Sequence, residues 1–297
     1  MRMKGEPAAK KGMEMTALAI GKTAWRALLE EVYTTPKPGL VDRHSNGAHR
    51  DMDIHTFEQS AQALWPFFVL MAEQGLTLDS TEEELFCHIR RTGMDAEKAM
   101  YRATGGVNTH KGLIFTLGIY CAAAGRCLRK YGRVTETELR QIQQEMTVRI
   151  LTGELEQLGQ KEAVSHGEKN LKNYGTTGIR GEAIAGYPSV WELAVPTLRQ
   201  GVKEGQDYNL VKLQTLFVLM SQVEDSNILA RQNPETLRRV QQMAADFLKN
   251  GGAYAEDAYE KLIDMDTEMI RKNISAGGCA DLLAAAVFMN MLLDQAA

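Results

Sequence analysis

The chain has 297 residues, with 34 Lys and Arg against 38 Asp and Glu, which gives a formal net charge of -4 at pH 7. Its 44% hydrophobic and 24% charged residues, with 26 Gly and 7 Pro, are typical of an ordinary globular protein and exclude a disordered or collagen-like chain. A net acidic chain has no general basic field for duplex nucleic acid, so an anionic ligand needs a local cluster of cationic groups.

The chain begins with a polar, basic segment, residues 1–12, which we expect to be flexible, and we predict one catalytic domain over residues 13–297. The first apolar stretch, Ala17 to Ile20, is too short for a signal peptide. The longest apolar run, Leu282 to Met289, is shorter than the about 20 residues that cross a bilayer. Four scattered cysteines without a Cys-x-x-Cys pair indicate reduced thiols. We therefore expect a cytoplasmic protein.

The rest of the chain predicts one helix after another. Between Ile54 and Met71 apolar residues recur at steps of three and four, the spacing of one buried helical face. Residues 81–84 (TEEE) and 135–138 (TETE) have the capping-box pattern, and Asn233-Pro234 is an N-cap followed by proline at the first helical position. Alternating runs that predict strands are absent. The sequence therefore predicts an all-α fold of about ten helices.

Two predicted helices, Leu113 to Ala124 and Leu282 to Leu293, are apolar all round and belong in the centre of a bundle. Each follows a glycine-rich polar segment, residues 104–112 (TGGVNTHKG) and 275–281 (SAGGCAD). The N–H groups at a buried helix start need partners, and glycine lets an anion approach them. We therefore expect the two helix starts to converge on one anion, with Gly106 and Gly278 facing a common polar cavity. The candidates for anion-binding residues are Gly105, Gly106, Asn108, Lys111, Gly277 and Gly278. Alternatively, the glycines only end one helix and start the next.

Three further segments interrupt the helical pattern and are dense in polar side chains: residues 36–53, 173–190 and 224–231. The pair Asp51 and Asp53 offers hard oxygen ligands for Mg²⁺, although Asp53 fits equally well as the N-cap of the next helix. These residues indicate a helical enzyme that binds a phosphorylated ligand together with Mg²⁺. They leave the type of reaction open.

Four motifs occur in one order along the chain: residues 36–53 (PKPGLVDRHSNGAHRDMD), TGGVNTHKG, residues 178–188 (GIRGEAIAGYP) and residues 275–284 (SAGGCADLLA). Through these motifs and their order, the chain resembles the triphosphoribosyl-dephospho-CoA synthase family from about residue 25 to residue 283. The resemblance implies that the triphosphoribosyl group of ATP passes to the ribose 2′-OH of 3′-dephospho-CoA and that adenine is released. It also implies that the product becomes the prosthetic group of the acyl carrier protein of citrate lyase or malonate decarboxylase.

The implied chemistry assigns roles to the polar residues. The family's α-linked product, formed from β-linked ATP, implies inversion in a single displacement at C1′. Glu182 and Asp225 are alternatives for the base that accepts the 2′-OH proton, and His49 or His110 could protonate the departing adenine. The further candidates for substrate binding are Lys37, Arg180, Asn227 and Arg231.

Two other functions fit the same residues. An all-α, Mg²⁺-dependent nucleotide hydrolase would use the same acids and bases to activate water. A helical module without catalytic activity would bind a carrier protein through an apolar groove. A homo-oligomer is compatible with each of these functions.

Overall fold

The computed structural model describes residues 15–158 and 166–296, and every regular element in these ranges is helical. The α-helices are α1 (Ala17–Val32), α2 (Ile54–Thr77), α3 (Glu82–Ala103), α4 (Lys111–Tyr131), α5 (Glu136–Leu158), α6 (His166–Tyr174), α7 (Gly178–Ala185), α8 (Val195–Lys203), α9 (Tyr208–Gln222), α10 (Ser226–Arg231), α11 (Pro234–Lys249), α12 (Ala258–Arg271) and α13 (Gly277–Ala296). A π-helical turn, Ser189–Ala194, and a 3-10 turn, Gly252–Tyr254, complete the elements. The all-α prediction is confirmed, and the predicted flexible segment, residues 1–12, lies outside the described residues.

Local side-chain caps set where several helices begin, as the sequence predicts. The Thr81 hydroxyl accepts a hydrogen bond from the Glu84 backbone N–H, and the Glu84 carboxylate accepts one from the Thr81 N–H, which completes a capping box at α3. The Asn233 side chain caps α11, with Pro234 at the first helical position. These contacts form between neighbours in the sequence, so they do not depend on the rest of the fold.

The two helices that are apolar all round, α4 and α13, lie in the core. By length and composition alone both helices could cross a membrane, since each is longer than the short apolar run of residues 282–289. However, 78% and 67% of their 18-residue apolar segments are buried inside the described part of the molecule. Helix α4 crosses α2 very closely, because a Cβ on Gly75 would meet the Ala122 carbonyl oxygen and one on Gly125 would meet that of Ala72. The interpretation of α4 and α13 as central core helices is confirmed.

The described residues contain thirteen α-helices, where the sequence predicted about ten. The additional helices are short: α7 and α10, of 8 and 6 residues, lie inside the segments 173–190 and 224–231 that were interpreted as breaks in the helical pattern. That interpretation is wrong for these two segments, whereas residues 36–53 contain no helix. Helices this short are unstable alone and depend on caps and tertiary contacts, which sequence periodicity does not reveal.

Candidate active site

A cavity of about 1410 Å³ opens where the starts of α4 and α13 meet the loop of residues 36–53 and helices α7 and α10. It brings together all but three of the residues that the sequence predicts for the site. The predicted residues that line it are Lys37, His49, Asp51, Asn108, His110, Lys111, Arg180, Glu182, Asp225, Asn227, Arg231, Gly277 and Gly278. The three that do not line it are Asp53, Gly105 and Gly106.

The N-terminal ends of α4 and α13 converge, as the sequence predicts. The Asp281 carboxylate from the first turn of α13 lies directly against Gly112 in the first turn of α4, where a Cβ would run into it. Gly105 and Gly106, in contrast, are exposed, with φ of +65° and +96°, and turn the chain as it leaves α3. Gly105 and Gly106 therefore only end one helix before the next begins, which was the alternative interpretation. The prediction that Gly106 lines the same cavity as Gly278 is wrong.

Asp225 holds two helix starts together. One carboxylate oxygen accepts hydrogen bonds from the backbone N–H groups of Asn227 (2.8 Å) and Ile228 (3.1 Å), which cap α10. The other accepts from the Cys279 N–H of α13 at 2.8 Å. Burial raises the pKa of Asp225, and these three N–H groups oppose the rise. Although it lines the cavity, its oxygens are therefore already used by the fold.

Glu182, the other candidate for the base, lies on α7 and is also hydrogen-bonded within the protein. Its carboxylate accepts the Ser189 hydroxyl at 2.6 Å and the Ser189 backbone N–H at 3.3 Å. Burial raises its pKa, and the contacts to Ser189 oppose that rise. The carboxylate ties α7 to the π-helical turn that follows it.

His49 forms a polar cluster with Arg231 and Ser275 inside the cavity. Its Nδ1 lies 3.1 Å from Arg231 Nη2, and its Nε2 lies 3.1 Å from the Ser275 hydroxyl. Since guanidinium can only donate, Nδ1 accepts and Nε2 carries the proton. Burial and then the Arg231 charge lower the pKa of His49 to about 4. The imidazole is therefore neutral at pH 7 before a ligand binds.

His110 is the N-cap residue of α4 and is 1% exposed. Its Nδ1 lies 2.7 Å from the Ser60 hydroxyl, which accepts the Thr109 hydroxyl, also at 2.7 Å. Its Nε2 has no hydrogen-bond partner among residues 15–158 and 166–296. Burial and the nearby Lys37 charge lower its pKa to about 3, so this imidazole too is neutral at pH 7. Neither histidine can protonate adenine at neutral pH until a ligand raises its pKa.

Lys37 forms a buried ion pair with Glu31 at the end of α1. Its ammonium, 1% exposed, donates to the Glu31 carboxylate and to the Glu31 carbonyl oxygen at 2.8 Å. The loop that carries Lys37 is shaped by Asp42, whose carboxylate accepts the backbone N–H groups of Lys37, His44 and Ser45 at 2.6 to 2.9 Å. Lys37 therefore reaches the cavity already paired with a carboxylate.

Two cationic side chains at the cavity are more open to a ligand. Lys111 is exposed, with its ammonium 2.6 Å from Glu97 in a surface ion pair that a phosphate could replace. Arg180, on α7, is half-buried, and none of the salt bridges within the described ranges includes it. Together with Arg231 they supply positive charge around the cavity, as the sequence predicts for an anionic ligand.

The described residues contain no group of three His, Cys, Asp or Glu side chains that could hold a metal ion. Asp51 lines the cavity and is exposed. Asp53 instead caps α2, since its carboxylate accepts the backbone N–H (2.8 Å) and the hydroxyl of Thr56. The alternative interpretation of Asp53 as an N-cap is therefore correct. Of the two predicted Mg²⁺ ligands, only Asp51 therefore has its carboxylate at the cavity.

Four acidic residues that line the cavity were not predicted from the sequence: Glu31, Glu97, Glu224 and Asp281. Asp281 stands inside the quoted SAGGCAD motif, and a carboxylate directly before an apolar helix was a signal that could have identified it. Glu31 lies at the end of an ordinary amphipathic helix. Its role depends on Lys37, so no local pattern could have singled it out.

An all-helical fold whose central helices begin at a cavity lined by cationic and acidic side chains is suited to binding an anionic ligand. The family model for ATP:dephospho-CoA triphosphoribosyl transferase (CitG) matches residues 17–297, and the chain belongs to this family.

Curated relatives carry a matching name. The 2-(5''-triphosphoribosyl)-3'-dephosphocoenzyme-A synthase of Pectobacterium atrosepticum is 41% identical over 268 residues, which cover 90% of this chain and 87% of that protein. Proteins of Citrobacter koseri and Streptococcus mutans, with the same name qualified as probable, are 39% and 37% identical, covering 90% and 91% of this chain and 88% and 94% of their own. A crystal structure from Archaeoglobus fulgidus matches with a TM-score of 0.47 and 16% identity over 79% of this chain and 97% of that chain, which is too distant to add to the assignment.

Proposed function

We propose that the protein transfers the 5-triphosphoribosyl group of ATP to the ribose 2′-OH of 3′-dephospho-CoA and releases adenine. The observation that carries this proposal is one continuous cavity of about 1410 Å³ at the starts of α4 and α13. A site for one small molecule measures roughly 300–1,000 Å³. The cavity therefore has room for two nucleotide-sized substrates side by side, and the family's transferase chemistry requires two.

The triphosphate must be held while its phosphorus atoms remain unattacked. Lys111, Arg180 and Arg231 offer charge and hydrogen bonds from three different elements, and the first turns of α4 and α13 offer backbone N–H groups. Such groups neutralise and immobilise phosphate without acting as nucleophiles. Binding at the triphosphate then leaves the ribose C1′ as the reacting centre.

Departure of adenine is assisted when its nitrogen receives a proton. His49 and His110 are neutral in the free protein, but a bound triphosphate brings negative charge close to both and raises their pKa values. His49 is the better placed to respond, because Arg231 is one of the groups that hold its pKa low and is also a phosphate-binding candidate. Substrate binding would in this way produce the acid that the reaction needs.

The Asp51 carboxylate at the cavity would hold a Mg²⁺ ion that enters with ATP. This ion would supply positive charge to the triphosphate. The product would be the prosthetic-group precursor for the acyl carrier protein of citrate lyase or malonate decarboxylase in the cytoplasm. The four free cysteines, three of them buried, are consistent with a reducing compartment.

Mass spectrometry of a reaction with ATP, Mg²⁺ and 3′-dephospho-CoA tests the proposal. The expected product contains the acceptor plus an intact triphosphoribosyl group, and adenine appears in equal amount only when the acceptor is present. Release of phosphate or pyrophosphate without the acceptor would instead identify a nucleotide hydrolase. Absence of nucleotide binding by calorimetry would favour a module without catalytic activity.

A further inference from the structure

The Asp281 carboxylate, at the start of α13, lies near two other carboxylates that line the cavity, those of Glu31 and Asp225. Both of these are committed within the protein, since Glu31 pairs with Lys37 and Asp225 accepts three backbone N–H groups. The half-buried Asp281 carboxylate accepts no hydrogen bond from any residue in the described ranges. A carboxylate that lines the cavity and accepts nothing from these residues is available to accept a hydrogen bond from a bound ligand.

The packing holds Asp281 in this position. Its Oδ2 occupies the space that any side chain larger than hydrogen at position 112 would fill, so Gly112 lets the carboxylate stand at the first turn of α4. Two residues earlier, the buried His110 presents an Nε2 that also lacks a partner among the described residues. One cavity thus contains an unpaired proton acceptor and an unpaired imidazole nitrogen, and both can be satisfied by a bound substrate.

We propose that Asp281 is the general base of the transfer, the group that accepts the proton of the acceptor's ribose 2′-OH as that oxygen attacks C1′ of ATP. This assignment rests on the proposed function. The O2′–C1′ bond forms while the C1′–N9 bond breaks, and adenine leaves with the electron pair of the broken bond. Asp281 passes its proton to solvent and adenine receives one, so the reaction balances without any further reagent.

The electrostatics around Asp281 suit this role. Burial raises its pKa well above the ordinary value, and the negative charges of Glu31 from α1 and Asp225 before α10 raise it further. Lys37 compensates Glu31 through their ion pair, and the neutral His110 adds no charge. A base is most effective when its pKa approaches the working pH, because it is then both ionised and basic enough to take the proton.

The two candidates from the sequence are less suitable because of their contacts. Asp225 would have to break hydrogen bonds that cap α10 and bind α13 before it could accept a substrate proton. Glu182 accepts the hydroxyl and the N–H of Ser189. Asp281 needs no such rearrangement.

The test compares Asp281→Asn with Asp225→Asn in the full chain. For Asp281→Asn we expect kcat to fall by about 10²–10⁴-fold with the KM for ATP nearly unchanged. Its unfolding midpoint should stay equal or rise, because an unpaired negative charge is removed. Asp225→Asn should lower the midpoint, because an amide NH₂ replaces an acceptor of backbone N–H groups. The acid limb of the wild-type pH profile, which falls as Asp281 gains a proton, should be lost in Asp281→Asn.

Asp281→Ala provides a second measurement. Formate fits the space that the carboxylate leaves, so it should raise the activity of this variant and not that of Asp225→Ala. A kcat for Asp281→Asn within tenfold of wild type would overturn the assignment, as would recovery of activity at high Mg²⁺ or a large drop in the unfolding midpoint. If the wild-type protein makes no product from ATP and 3′-dephospho-CoA, the proposed function itself fails, and the role of Asp281 in it fails as well.

Discussion

The buried ion pair between Lys37 and Glu31 gives a quantitative prediction for Glu31→Gln. The amide keeps the size of the side chain and one acceptor oxygen, but it removes the negative charge that faces the Lys37 ammonium. That ammonium is 1% exposed, and its other hydrogen bond goes to the Glu31 carbonyl oxygen. Burial raises the pKa of Glu31, and the Lys37 charge opposes this rise.

Removal of one partner from a buried ion pair costs about 3–5 kcal/mol, because the other charge remains desolvated without compensation. A chain of this size loses about 2 °C in its unfolding midpoint for each kcal/mol. Glu31→Gln should therefore unfold about 6–10 °C below the wild-type protein.

Differential scanning calorimetry of three variants tests this reasoning. In Glu268→Gln, which loses a surface pair with Lys272, the midpoint should shift by less than 2 °C. The double variant Glu31→Gln/Lys37→Met removes both charges of this pair and should recover most of the loss. A midpoint for Glu31→Gln within 2 °C of wild type, or a double variant less stable than the single one, would refute the argument.

Three other outcomes follow from the structure. Lys111→Ala should weaken ATP binding by roughly 10- to 150-fold in calorimetry, because loss of a charged hydrogen bond costs about 1.5–3 kcal/mol. Lys98 is exposed and lies outside the cavity, so Lys98→Ala should leave the affinity for ATP unchanged. Gly125→Ala should lower the unfolding midpoint, because its Cβ would press on the Ala72 carbonyl oxygen, and an unchanged midpoint would contradict the close crossing of α2 and α4. ATP should raise the pKa of His49 from about 4, because the negative triphosphate offsets the positive charge of Arg231. The NMR signals of His49, followed over pH, measure this shift, and an unchanged pKa would place the triphosphate elsewhere.

Much of the fold could be predicted from the sequence because it depends on near neighbours. A capping box joins residues three positions apart, as at Thr81 and Glu84, and a helix without a polar face has to be buried wherever the chain runs. The order of the four motifs likewise identifies the family from the sequence alone. Most of the predicted cavity residues lie in these motifs, and the two glycine-rich motifs directly precede the two core helices.

The tertiary structure decided which of these residues are free to act. Asp225 and Glu182 each carry the carboxylate that a general base needs. In the folded protein, however, the Cys279 N–H already donates to Asp225 and the Ser189 hydroxyl already donates to Glu182. The Asp281 carboxylate can stand at the first turn of α4 because Gly112, 169 positions earlier in the chain, leaves space for it. Hydrogen-bond pairing, desolvation and pKa depend on groups brought together by folding, and local sequence patterns contain no information about those groups.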